Sequence, residues 1–115
     1  MATVEDVRRI ARALPRSTEA VVRDRVKFRI GRIVYLALSR DETMLGFGFP
    51  REEREAMVAA EPDKYVMPTG RDLQYQWLEA HLAALDEAEL EELITEAWAM
   101  CVPKSVARAY FGPGL

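Results

Sequence analysis

The sequence predicts a two-layer α+β domain: an antiparallel sheet of about five strands with helices on one face. Three observations carry that expectation. The hydrophobic period is helical at both ends of the chain and falls to two from Val26 onward. Turn signals at Gly31-Arg32 and Asp41-Glu42 divide the period-two region into hairpin-sized pieces. The resulting order, α-β-β-β-α-β-β-α, is that of an α+β fold with segregated layers. With 115 residues, 50% hydrophobic and 30% charged, one core is expected, and residues 1–115 read as a single domain without repeats, low-complexity stretches or linkers.

The elements follow from local chemistry. Thr3 is placed as an N-cap with Asp6 three residues on, and Val4, Val7, Ile10, Ala11 and Leu14 recur at helical spacing until Pro15. Val26, Phe28 and Ile30 then alternate with Arg25, Lys27 and Arg29, as in a half-buried strand. Ile33 to Leu38 is apolar on both faces, which suits an interior strand. In the third strand Leu45, Phe47 and Phe49 alternate with Met44, Gly46 and Gly48. Two strand glycines on one face predict close approach by a helix, a backbone or a ligand. Pro50 precedes a short helix over Arg51–Ala60, and Tyr65-Val66-Met67 is a brief strand. Pro68 to Asp72 forms a loop, and Gln74 to Leu85 holds the next extended stretch. Asp86, with Glu89 as its capping-box partner, opens a long helix whose apolar stripe is Leu90, Leu93, Ile94, Ala97, Trp98 and Cys101. Pro103 interrupts it, a last helical turn or two passes through Ala107 and Tyr110, and Gly112-Pro113-Gly114 reads as a frayed end.

Composition narrows the function. One His and one Cys cannot supply a Cys/His zinc site, so no metal is expected. Cys101 has no partner for an intrachain disulfide, and no basic segment leads into an apolar one, which makes the cytoplasm the expected compartment. The longest uncharged apolar run, Ile33 to Ser39, is too short to span a bilayer as a helix, so no membrane partner is expected. The net charge of −3 argues against a surface that is basic throughout. Its distribution is uneven. Up to Arg54 there are 12 Lys/Arg against 8 Asp/Glu, and beyond it 4 against 11, a pattern that suits one basic working face on an acidic body.

Several segments together resemble the MmcQ/YjbR family of small bacterial proteins. They are Ala13-Leu14-Pro15, Phe28-Arg29-Ile30-Gly31-Arg32, Arg51-Glu52-Glu53-Arg54-Glu55-Ala56 running into Ala60-Glu61-Pro62-Asp63, and Glu89-Leu90-Glu91-Glu92-Leu93 followed by Ala97-Trp98 and Pro103-Lys104. The resemblance implies a fold similar to secretion-chaperone-like and CyaY-like domains, in a family commonly labelled DNA-binding. Many members carry a basic or His-rich cluster ahead of or within the last strand. Here that region reads Gln74-Tyr75-Gln76-Trp77-Leu78-Glu79-Ala80-His81-Leu82, so any nucleic-acid contact falls to the first half of the chain.

Two candidate sites emerge, neither of them catalytic and neither requiring a cofactor. Arg23, Arg25, Lys27 and Arg29 occupy every second position, which a continuous strand would project about 6.5 to 7 Å apart, a spacing like that of phosphates along a nucleic-acid strand. Arg32, with Arg8, Arg9, Arg12 and Arg16, would extend the patch, giving sequence-independent affinity through counterion release. The plainer reading of the same residues is a solvated strand face protected from aggregation by its charge. The alternative site is a small-molecule or protein-partner groove formed by Tyr35, Met44, Gly46, Gly48 and Trp77, with Tyr75 as a further aromatic. His81 lies on the same side of a strand as Glu79, but no nucleophile elbow or phosphate loop accompanies it, and it reads as a rim histidine. Cys101 reads as a buried, inert thiol.

Overall fold

The structure, a computed structural model, describes residues 1–112; of the terminal Gly112-Pro113-Gly114 segment only Gly112 falls within them. Both predicted capping boxes are present. Thr3 Oγ1 accepts from Asp6 N at 3.3 Å while Thr3 N donates to Asp6 Oδ2 at 2.9 Å, opening α1 (Val4–Arg12). Glu89 N donates to Asp86 Oδ1 at 2.7 Å and Asp86 N to Glu89 Oε1 at 3.1 Å, opening α3 (Glu87–Ala99). The short α2 (Arg54–Ala60) is entered through a 3₁₀ turn at Arg51–Glu53, and α4 (Lys104–Phe111) starts after Pro103.

The sheet has six strands: β1 (Ser17–Val22), β2 (Arg25–Ile30), β3 (Ile33–Leu38), β4 (Met44–Gly48), β5 (Tyr65–Val66) and β6 (Trp77–His81). They lie in the order β1-β2-β3-β4-β6-β5, and every neighbouring pair is antiparallel. The predicted α+β class therefore stands, with one strand added. β1 escapes the sequence pattern because it is an edge strand whose first half is Ser17-Thr18-Glu19, with no buried residue to mark a period. The stretch from Gln74 to Leu85 is also less regular than expected. Only Trp77–His81 is extended, between 3₁₀ turns at Gly70–Gln74 and Leu82–Ala84.

The core lies between one sheet face and the helices. Phe28, Leu36, Leu45, Phe47, Leu78 and Ala80 from the sheet meet Val7, Ile10 and Ala11 of α1 and Leu90, Ile94, Ala97 and Trp98 of α3. The strand residues that alternate with these face the other way. Opposite-face residues are thereby gathered in sequence order across the sheet, and the pairing registers state which ones meet.

Candidate binding groove on the open sheet face

Cross-strand register defines the centre of the open face. Lys27 of β2 pairs with Ala37 of β3, Ala37 with Gly46 of β4, and Gly46 with Glu79 of β6. These four positions make one row across the strands, with a cation at one end, a carboxylate at the other and two very small residues between. Three strand spacings separate its ends, roughly 14 Å. The floor is low because Ala37 and Gly46 put almost nothing above the backbone. Walls rise on either side from longer residues.

Two adjoining recesses occupy this floor. One, of about 470 Å³, is lined by Arg25, Lys27, Val34, Tyr75, Trp77 and Cys101 among others. The second, of about 580 Å³, shares Arg25, Ala37, Asp72 and Trp77 with the first and adds Arg40, Met44, Gly46 and Glu79. Trp77 lines both. A Cβ at position 46 would come within 2.6 Å of the indole Cζ2, so the ring leans over Gly46, and no larger residue leaves it room. Gly48 lines the first recess beside the end of α3, where a Cβ would meet the Ala97 Cβ at 3.6 Å, ordinary packing distance. The two glycines thus answer to two neighbours: the helix at Gly48 is of the kind the sequence predicts, and the aromatic side chain over Gly46 is not.

The wall carrying Tyr75 and Trp77 is held from behind by two arginines. Arg54, buried at 7% exposure, donates to the carbonyls of Leu73 (2.9 Å), Trp77 (3.2 Å) and Tyr75 (3.4 Å). Arg51 donates from Nη1 to Gln74 O at 3.0 Å, and its backbone N–H to Gln76 Oε1 at 2.6 Å. Neither arginine has a carboxylate partner among the described residues. Sequence reasoning assigns Arg51 and Arg54 only to a helix, because the carbonyls they serve lie some twenty residues away along the chain.

The charges sort themselves by partner. Glu19 on β1 accepts from both Arg8 (3.2 Å) and Arg12 (3.0 Å), and Arg9 meets Asp6 (3.3 Å) and Glu87 (2.7 Å). The helix arginines therefore do not extend the basic patch; they belong to the helical layer and are neutralised there. Arg23, Arg25, Lys27, Arg29 and Arg32 have no ion pair among the described residues. Arg25 Nε donates to the Leu38 carbonyl at 3.0 Å, and the buried Nε of Arg29 has no hydrogen-bond partner.

Three assignments are corrected. Arg23 is not a strand residue: Arg23 and Asp24 both have positive φ (52° and 65°) and form the tight turn between β1 and β2, as hairpins of this hand require. The alternating row is therefore Arg25, Lys27 and Arg29, bounded by turn residues Arg23 and Arg32. Tyr35 is not in the groove. A bulge in the β2–β3 pairing takes the register from Phe28↔Leu36 to Arg29↔Val34, leaving Tyr35 as the extra residue. Tyr35 is fully buried with the core, and its hydroxyl lies 2.6 Å from Ser17 Oγ. Burial pushes its pKa up to about 12. Cys101 is corrected as well: it follows the end of α3, is half-buried and lines the first recess, with burial raising its thiol pKa.

The acids of the second recess differ in what holds them. Asp41 Oδ1 accepts from Ser39 Oγ, Thr43 N and Thr43 Oγ1, which lowers its pKa and commits it to the turn. The Glu79 side chain has no hydrogen bond or ion pair among the described residues. Desolvation and then the Asp72 charge raise its pKa, against the opposing influence of Arg25. His81, exposed on the same side of β6, pairs across the sheet with Met44.

Helices on one side of an antiparallel sheet and an aromatic-rimmed groove on the other define an open-faced α+β domain. The chain belongs to the YjbR family, whose model matches residues 12–100. Uncharacterised proteins of Mycobacterium bovis and Mycobacterium tuberculosis are 31% identical to it, the match covering 96% of this chain and 96% of theirs. The crystal structure of the Deinococcus radiodurans protein DR2400, of domain family DUF419, superposes with a TM-score of 0.76 at 19% identity, over 98% of this chain and 91% of that one, and shows the same fold. No helix among the described residues is long and apolar enough to cross a membrane.

Proposed function

We propose that this protein is a non-enzymatic binding domain that holds single-stranded nucleic acid on its open sheet face, with the phosphate backbone running along β2. The observation that carries the reading is the row Arg25, Lys27 and Arg29, free of ion pairs while the arginines of α1 are all paired. Alternate strand positions repeat at about 6.5 to 7 Å, matching successive phosphates of an extended strand. A small anion would need one or two of these cations. The row continues past the recesses to Arg29, which lines neither of them. Trp77 and Tyr75, across the floor from the cations, offer the stacking surfaces that single-strand binders combine with a basic track. Such a recess accommodates an unpaired base, whereas the bases of a duplex are stacked inside it.

Fluorescence anisotropy with a labelled oligothymidylate tests this. Neutralising three phosphates of a single strand predicts a slope of log affinity against log salt of roughly −2.1. The charge reversal Lys27→Glu, which disturbs no hydrogen bond of the fold, is expected to abolish binding at low salt. Absence of binding by the wild-type protein at low salt, tighter binding to duplex, or binding indifferent to Lys27→Glu overturns the proposal.

A second reading has its own observation. The first recess is also bordered by Ile33, Val34, Met100 and Cys101, an apolar lining suited to a small molecule. A metabolite that raised the melting temperature equally at low and high salt would favour this reading over the electrostatic one.

A further inference from the structure

The row Lys27–Ala37–Gly46–Glu79 has a direction. With a nucleic-acid backbone along β2, a base swung inward passes over Ala37 of β3, lies against the Trp77 indole that covers Gly46 of β4, and presents its edge to Glu79 of β6. The span from Lys27 to Glu79, roughly 14 Å between backbones, is commensurate with one nucleotide laid across the strands while the side chains reach in from both ends. The Trp77 indole stands over Gly46 on that path, and the recess around it measures about 580 Å³.

We infer that this recess selects guanine, with the Glu79 carboxylate as the group that reads the base edge. Two properties of Glu79 lead there. An ionised carboxylate only accepts hydrogen bonds, and it has two oxygens side by side. The Watson–Crick edge of guanine offers two adjacent donors, N1–H and the N2 amino group. Adenine and cytosine each offer one amino donor beside an acceptor, and thymine one N–H between two carbonyls. Bases that are unstacked are commonly recognised on this edge. Glu79 is also uncommitted: it is half-buried yet its side chain carries no hydrogen bond or ion pair among the described residues, whereas Asp41 nearby is saturated by Ser39 and Thr43. Asp72 adds negative charge at the same end of the groove, which disfavours carbonyl-rich edges there and favours donors.

The inference rests on the single-strand reading above, and its test separates the two. Labelled pentanucleotides of thymidine with a central guanine, inosine, adenine or thymine are titrated at low salt and pH 7.5 by anisotropy. The guanine pentamer is expected to bind about tenfold tighter than the all-thymine one, the size of a good bidentate base contact. Inosine, which lacks the N2 amino group, is expected to lose most of that advantage. Glu79→Gln is expected to erase the preference, with the thymine pentamer bound at least as tightly as by the wild type because a negative charge leaves the groove, and Glu79→Ala to do the same without introducing a new donor. Equal binding of all four pentamers, or a guanine preference that survives both substitutions, overturns the guanine assignment alone. Failure of every pentamer to bind overturns the single-strand reading with it.

Discussion

Tyr35 shows how much one residue's placement depends on a single irregularity. By alternation it belongs on the open face with Ala37; the β-bulge turns it inward, where its hydroxyl meets Ser17 Oγ at 2.6 Å and burial raises its pKa to about 12. The neutral phenol is the form the fold accepts. Because the folded value exceeds the ordinary value of 10.0, its contribution to stability is complete below pH 10 and declines as pH rises toward 12. Ultraviolet titration is expected to show two of the four tyrosines, Tyr35 and Tyr65, ionising late, and Tyr35→Phe is expected to remove one of those late steps. The same substitution strips Ser17 of its partner and is expected to cost about 1 kcal/mol in denaturant unfolding.

At the scale of elements, the groove wall depends on α2 and the turn before it. Leu73, Tyr75 and Trp77 direct their carbonyls at one guanidinium, so Arg54 replaces the strand neighbour that this irregular segment lacks. Arg54→Met keeps the length of the side chain but leaves those carbonyls without a donor. The expected loss is about 3 kcal/mol, with Tyr75 and Trp77 released from their seats and oligonucleotide binding lost together with stability. Arg54→Lys is expected to be nearly as damaging, because an ammonium cannot fork to three separated acceptors as a guanidinium does. Urea melts of both variants check this, and an Arg54→Lys protein as stable as wild type would show that the carbonyl clamp is incidental. On the other side of the sheet, the Glu19 pairs with Arg8 and Arg12 join α1 to β1. Being partly exposed, each is expected to contribute at most about 1 kcal/mol.

For the molecule as a whole, Trp98 is the residue through which the layers communicate. It is fully buried, its Nε1–H donates to Pro15 O at 2.8 Å, and its ring meets Tyr110 edge-on at 5.0 Å between centroids. It thus links α3, the connection between α1 and β1, and α4. Trp98→Ala is expected to cost about 3 to 5 kcal/mol and to loosen α4, observable as faster amide exchange there. Trp98→Phe, keeping the ring but not the N–H, is expected to cost less.

Most of the fold was legible in the residue pattern because burial imposes a period. Both capping boxes, strands β2, β3 and β4 and the apolar stripes of α1 and α3 lie where periodicity and cap chemistry put them. β1 was not legible, since an edge strand answers to one neighbour and a mixed environment. The site was legible in part. Residue spacing nominates Arg25, Lys27, Met44, Gly46, Gly48 and Trp77 for two competing sites, and pairing merges them into one groove. Chain-local spacing can say that cations alternate or that two glycines share a face. It cannot say that the arginines of α1 are neutralised by Glu19 and Glu87, that a bulge removes Tyr35, or that Glu79 stands opposite Lys27 across Ala37 and Gly46. Those facts arise from strand register and layer packing, which bring together residues far apart in the chain, and it is there that the open face acquires its charge and its shape.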